Sequence, residues 1–160
     1  MDSIQRKKLV NELISLIEKG NAHVSFKESV TGLPSELRTI IPENLPYSIW
    51  QLVEHIRIAQ KDIVDFSSSA GSESLAWPDD YWVEPTDTVT DEDWNNSLQQ
   101  IEKDQQRFQA LLEDEQHDLF APLPWGTGQS LLREAMLIAD HNAYHTAEIV
   151  VARRLLKSWK

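Results

Sequence analysis

The stretch SLLREAMLIADHNAYHTAEIVVARRLL, residues 130–156, decides the fold of this chain because it contains neither proline nor glycine. Ser130 is a suitable N-cap, as is Thr127 three positions before it. About 27 residues in helical conformation extend roughly 40 Å, so the stretch predicts one long helix. One face of this helix collects Glu134, Ile138, His141, His145, Glu148 or Ile149, Ala152 and Leu156.

Three further stretches contain neither of the two helix-breaking residues and can each hold a long helix. They are residues 1–19, 47–70 and 86–121. Ser48 and Gln51 have the spacing of a capping box at the start of the second stretch. Thr90 and the acidic residues up to Asp93 suit the positive end of a helix dipole in the third.

Apolar residues in these three stretches recur at the helical period, which predicts one buried face on each helix. The faces are Ile4, Val10, Leu13, Ile14 and Ile17 in the first; Leu52, His55, Ala59, Ile63 and Phe66 in the second; and Trp94, Leu98, Ile101, Gln105, Phe108 and Leu112 in the third. No alternating strand pattern competes with them. We therefore predict an all-α four-helix bundle that forms a single domain over residues 1–160.

The connecting segments 21–46 and 71–89 are longer than ordinary bundle loops. The second segment carries Trp77, Tyr81 and Trp82. Two interpretations of these aromatic residues stay open. They seal the bundle ends or a subunit interface, or they form the wall of a pocket.

Composition restricts the classes of function. Lys and Arg number 15 against 26 Asp and Glu, a formal charge of −11, which repels nucleic-acid phosphates. There is no cysteine, so any metal ligands must be His, Asp or Glu, and a reducing compartment is favoured. The chain shows no signal-peptide pattern and no long apolar run. We expect a cytoplasmic protein that binds neither nucleic acid nor membrane.

Three histidines fall on predicted inward faces. His141 and His145 are spaced i,i+4, so both imidazoles leave the same side of the fourth helix. His55 lies on the inward face of the second helix and can supply a third nitrogen. This donor set suits a divalent ion: zinc or nickel foremost, with iron and manganese as alternatives, and it leaves room for water. The competing interpretation is three hydrogen-bonded core histidines.

Other polar residues are candidates for the same site. Glu148, one turn beyond His145, is the candidate catalytic residue, as a fourth ligand, a water-orienting base or a partner of a ligand; otherwise it is a partly exposed helix glutamate. Gln51 either points at the site or completes the helix cap. We expect His23 and His117 to be surface or loop histidines. Asn142 stands where a zinc metalloprotease helix carries its glutamate base, so that mechanism is not supported.

Two segments carry a family resemblance: LLREAMLIADHNAYH, residues 131–145, and PYSIWQLVEHIRIAQ, residues 46–60. Together they strongly resemble the DinB superfamily of metal-binding four-helix bundles. The shorter segments AHVSF, WPDDYW and DLFAP, at 22–26, 77–82 and 118–122, are similar to sequences of relatives in the same order.

The resemblance implies more than the residues alone indicate. It implies an up-down-down-up bundle with a long crossover between the second and third helices, which we place at 71–89. It implies that His55, His141 and His145 form the metal triad, and that a homodimer is expected. It also implies a metal-dependent enzyme, of the thiol S-transferase or hydrolase type, acting on a small molecule or a low-molecular-weight thiol. The alternative is a non-catalytic binding or structural bundle pinned by its metal.

Overall fold

The computed structural model describes residues 1–71 and 75–159. Within these residues the chain forms five α-helices and no β-strand, which confirms the all-α prediction. The helices are α1 (Ser3–Lys19), α2 (Phe26–Val30), α3 (Ile49–Ser68), α4 (Asp91–Glu113) and α5 (Leu131–Leu155). None of them is long and apolar enough to cross a membrane.

Reciprocal side-chain caps explain where the helices begin. Ser48 and Gln51 form the predicted capping box before α3, and Thr90 and Asp93 form one before α4. At α5 the cap is Ser130 rather than Thr127. Each cap satisfies amide groups that have no partner within the first helical turn.

The connecting segment 21–46 contains a short helix, α2, which the breaker-free stretches did not predict. Ser25 accepts a hydrogen bond from the Glu28 amide, and the Glu28 carboxylate accepts one from the Ser25 amide. This capping box has the same spacing as the one at Ser48, and it stabilises a single helical turn. Val30, at the end of α2, is buried in the core.

The four long helices pack against one another around two groups of buried apolar side chains. Helix α3 contacts α4 and α5, and α1 contacts the same two helices. One group includes Val64, Phe108 and Ile138, and the other includes Leu52, Ile56 and Ile149. The second group places His55 beside Leu52 and Ile56 on the buried side of α3.

The predicted inward face of α4 is only partly buried at two positions, although Leu98 still packs against the core. Leu98 and Gln105 are only half-buried, whereas Ser97 and Asp104 are buried. Ser97 donates a hydrogen bond of 2.6 Å to the buried Glu54 on α3. Polar groups on neighbouring helices can be buried when they form hydrogen bonds with each other. Polar residues can therefore be buried at positions outside the predicted apolar face.

The first helix shows a similar difference. Val10, Leu13 and Ile17 are buried as predicted. Ile4, however, lies in the first turn of α1 and is 69% exposed, and Ile14 is half-buried. The spacing of apolar residues thus predicted the buried residues in the middle of this helix face better than those at its margins.

Candidate metal centre

Three imidazoles from two helices meet at one point in the structure. One ring nitrogen from each of His55, His141 and His145 lies within 4.8 Å of the other two. The Nε2 atoms of His55 and His141 are 3.0 Å apart. His55 and His145 are 1% and 7% exposed, and His141 is half-buried. The structure therefore brings together the three histidines that the sequence singled out, on the inward side of the helices.

The main chain of the crossover segment, residues 71–89, orients His55. Its Nδ1–H donates a hydrogen bond of 2.9 Å to the Tyr81 carbonyl oxygen. A carbonyl oxygen can only accept, so Nδ1 carries the proton and the Nε2 lone pair faces the other histidines. Gln51 and Asp62, on the same helix, anchor the crossover by bonds to the Val83 carbonyl and the Tyr81 hydroxyl, 3.0 Å and 2.6 Å long.

A carboxylate orients His145 in the same way. Its Nδ1 lies 2.7 Å from Oε2 of Glu148, one turn further along α5. Oε1 of Glu148 accepts a hydrogen bond from the Tyr47 hydroxyl, just before α3. Both carboxylate oxygens are thus engaged, and Nε2 of His145 is left free. An imidazole held by a carboxylate at one nitrogen is the usual arrangement of a metal-ligating histidine.

His141 is held less firmly than the other two histidines. Its Nδ1 is 3.4 Å from the Asn142 side-chain oxygen, a long contact for a hydrogen bond. Asn142 itself is buried and donates to the Gln60 side-chain oxygen at 2.8 Å. The position that a metalloprotease would give to a catalytic glutamate therefore serves in helix packing.

The surroundings keep all three imidazoles neutral. Burial first, and then the nearby His145 and His55, lower the pKa of His141 to about 4, against smaller opposing effects of Asn142 and Asp140. Burial also lowers the pKa of His55 and of His145, although the Tyr81 carbonyl and Glu148 oppose the effect. Neutral imidazoles are the form that binds metal ions.

The donor set fits a divalent metal ion. Two nitrogen ligands of a tetrahedral zinc ion, with bonds of ~2.0–2.1 Å, lie roughly 3.3 Å apart, close to the 3.0 Å between His55 and His141. With Nδ1–H of His55 held by a carbonyl, these two Nε2 atoms need a shared proton or cation between them. Within residues 1–71 and 75–159, no fourth His or carboxylate joins the group.

Aromatic rings of the crossover cover the site on one side. Trp82 stacks on His55 with 4.0 Å between ring centroids and 5° between planes. Tyr47 stacks on the same tryptophan at 5.5 Å. Trp77 lies 6.4 Å from the His55 ring and is 70% exposed. Of the two interpretations of these aromatic residues, the structure favours the wall of a site for Trp82.

The remaining candidates lie elsewhere. His23 and His117 are exposed, as predicted. Gln51 completes the capping box and holds the crossover, so it does not point at the histidines. A cavity of about 410 Å³ lies between α1, α2 and α4 and is lined by residues such as Phe26 and Leu98, away from the three histidines.

A model of the DinB superfamily matches residues 22–149, which is most of the chain. The chain belongs to the DinB superfamily. The match includes α2, α3, α4 and most of α5, and therefore every histidine of the cluster. Neither the curated proteins nor the solved structures contain a match to this DinB-superfamily sequence.

Two residues near the cluster of this DinB-superfamily chain were not found from its sequence. Tyr47 reaches Glu148, and the main-chain carbonyl of Tyr81 reaches His55. The only signal for Tyr47 is its place just before the N-cap Ser48. A carbonyl acceptor leaves no trace in the sequence, since every residue has one.

Proposed function

We propose that this protein binds one divalent metal ion through His55, His141 and His145 and uses it in a metal-dependent reaction, of the thiol S-transferase or hydrolase type. The observation that carries the proposal is the convergence of three neutral imidazoles within 4.8 Å. His55 and His145 have their second nitrogens engaged by other groups. Membership of a superfamily whose members bind metals supports the same conclusion. Zinc or nickel suits three imidazoles best, with iron and manganese as the alternatives.

An open ligand position favours an enzyme over a purely structural site. Structural zinc sites are closed by four protein ligands, whereas catalytic sites have three and bind water or substrate at the fourth position. The nearest carboxylate, Glu148, already accepts hydrogen bonds from His145 and Tyr47. His141 is only half-buried, so the cluster is accessible from its side.

The roles of the chain's own residues follow from these contacts. A bound ion would supply Lewis acidity and lower the pKa of a water or thiol. Glu148 orients His145 and balances part of the ionic charge. Trp82 excludes water from one face of His55. The substrate in this proposal is a small molecule or a low-molecular-weight thiol that enters beside His141.

Elemental analysis of protein purified without a metal-affinity tag tests the metal site. We expect close to one equivalent of metal per chain in the wild type and none in His55→Ala. The matched control is His117→Ala, which removes an exposed histidine and should leave the metal content unchanged. A metal-free wild type that also binds no added Zn²⁺ would refute the proposal.

A second experiment separates an enzyme from a structural site. The protein is loaded with Co²⁺ and titrated with 2-mercaptoethanol as a model thiol. An open position predicts a new sulfur-to-metal absorption band in the near ultraviolet. An unchanged spectrum, together with unfolding on chelation, would favour the non-catalytic bundle.

The helix order that we propose is up-down-down-up within one domain over residues 1–160. Polar pairs support it. Between α3 and α4 the residue numbers of bonded partners increase in both helices, from Glu54 with Ser97 to Asp65 with Arg107. This is the pattern expected of two helices that run in the same direction. In two other helix pairs the number of one partner increases while that of the other decreases, as expected of antiparallel helices. Between α1 and α4 the bonded pairs are Arg6 with Asp114 and Glu18 with Gln109. Between α3 and α5 they are Tyr47 with Glu148 and Gln60 with Asn142. The long crossover joins the two parallel helices; its residues 72–74 lie outside the described part of the chain.

We further propose that the protein is a cytoplasmic homodimer. The large exposed ring of Trp77 supports an interface at the crossover, since tryptophan is enriched in protein contacts. The cytoplasmic location is a prediction from the cysteine-free composition.

A further inference from the structure

Tyr47 is connected to the histidine cluster through two other side chains. Its hydroxyl donates to Glu148, whose other oxygen accepts from His145. Its ring stacks on Trp82 with 15° between the planes, and Trp82 stacks in turn on His55. Tyr47 is itself no candidate ligand, yet one route from it leads to a histidine on α5 and the other to a histidine on α3.

We propose that Tyr47 is a positioning residue for the three-histidine site. It fixes the Glu148 carboxylate, so that the Nδ1–H of His145 has one preferred partner and Nε2 has one preferred direction. Its ring also packs against Trp82 and so holds the Trp82 ring in its stack on His55. The inference rests on the proposed function, since positioning matters only if the histidines bind a metal ion.

Sequence position explains why Tyr47 can do this. It directly precedes Ser48, the N-cap of α3, and the cap fixes the backbone there through bonds to Gln51. The side chain of Tyr47 therefore starts from a rigid point. A phenol held at both its ring and its hydroxyl loses little further freedom when the metal binds, which favours affinity through preorganisation.

A Tyr47→Phe variant removes the hydroxyl route and keeps the ring. Partners of ligating histidines typically change metal affinity about 10- to 100-fold when mutated. We expect Glu148→Ala to fall in that range. Because Tyr47 acts one bond further out, Tyr47→Phe should weaken Zn²⁺ binding by about three- to tenfold. Affinity is measured by competition with a chromogenic chelator, and the visible Co²⁺ spectrum reports the ligand geometry.

A double-mutant cycle separates positioning from general stability. If the hydroxyl acts through the carboxylate, Tyr47→Phe should have no further effect on Zn²⁺ affinity in a Glu148→Ala background. Tyr47→Ala, which also removes the ring, should still weaken binding there, because the route through Trp82 is independent of Glu148.

Ser97→Ala is the matched control. It removes another hydroxyl-to-carboxylate hydrogen bond, the one to Glu54, whose carboxylate is bonded to Arg57 and Ser97 and not to a cluster histidine. We expect it to lower the thermal stability of the apoprotein, as Tyr47→Phe does, without changing Zn²⁺ affinity or the Co²⁺ spectrum.

Three results would overturn the inference. Tyr47→Phe could bind Zn²⁺ as tightly as the wild type, it could lose the same factor with and without Glu148, or Ser97→Ala could lose as much affinity. A wild type that binds no Zn²⁺ is a different failure, since it refutes the metal site itself and this inference with it.

Discussion

The Nε2 atoms of His55 and His141 lie 3.0 Å apart, although the two residues are 86 positions apart in the chain. They belong to α3 and α5, two helices that pack directly against each other. The Nδ1–H of His55 is committed to a carbonyl oxygen, so its lone pair faces His141. At this distance the two nitrogens can share the Nε2–H proton of His141 in a hydrogen bond, or they can both bind the same metal ion.

Loss of any one histidine of the cluster should abolish stoichiometric metal binding. His141→Ala and His145→Ala each leave two neutral ligands, which make a poor chelate. Metal content after dialysis, measured by elemental analysis, checks this expectation. His23→Ala serves as the control because His23 is exposed and outside the cluster. Full metal content in either of the first two variants would remove that residue from the proposed site.

Metal affinity should resist mild acid. An ordinary histidine has a pKa of ~6.5, but burial lowers the pKa of all three cluster histidines, that of His141 to about 4. The neutral, metal-binding form therefore persists below pH 6.5 and is lost only as the pH approaches the lowered values. We expect the Zn²⁺ affinity to fall at a lower pH than it would for three histidines of ordinary pKa, ~6.5, and His141 to be the ligand that stays neutral down to about pH 4. Calorimetric titration in buffers of matched ionic strength measures it; a marked loss of affinity already at about pH 6.5 would contradict these pKa directions.

Gln60 should be important for stability. Its side chain is 1% exposed, donates to the Ile101 carbonyl at 2.8 Å and accepts from Asn142. Gln60→Ala removes both hydrogen bonds, deprives the buried Asn142 side-chain amide of its acceptor and opens a cavity. We expect the free energy of unfolding to fall by about 2–4 kcal/mol. Urea denaturation of the apoprotein measures this.

The control for that prediction is Gln106→Ala, on an exposed position of α4. Surface substitutions of this kind typically change stability by less than about 0.5 kcal/mol. Equal losses in the two variants would show that the bonds of Gln60 contribute nothing beyond helix propensity.

Two tryptophans of the crossover should respond differently to truncation. Trp82 stacks on His55 and Tyr47 within its own chain, so Trp82→Ala should lower thermal stability. Trp77 is exposed, so Trp77→Ala should instead raise the dissociation constant of the proposed homodimer. Sedimentation over a concentration series distinguishes the two effects. A wild type that is monomeric at every concentration would exclude the dimer.

Much of the helical structure is determined by the sequence alone, because its signals are local. Capping boxes and breaker-free stretches depend on residues within one or two turns of each other. They predicted the starts of α3 and α4 correctly, and the i,i+4 spacing predicted that His141 and His145 share a face. A capping box at Ser25 and Glu28, which starts α2, is a local signal of the same kind.

Tertiary structure alone decided what completes the site. The acceptor for His55 is a main-chain carbonyl, and the partner that holds Glu148 is Tyr47, 101 positions away. Likewise, Ser97 and Asp104 are buried beside the half-buried Leu98 and Gln105 because polar partners are available to them in the folded chain. Contacts of this kind arise only when distant segments pack together, and the free energy of burying a polar group depends on whether the other segment supplies its hydrogen bond.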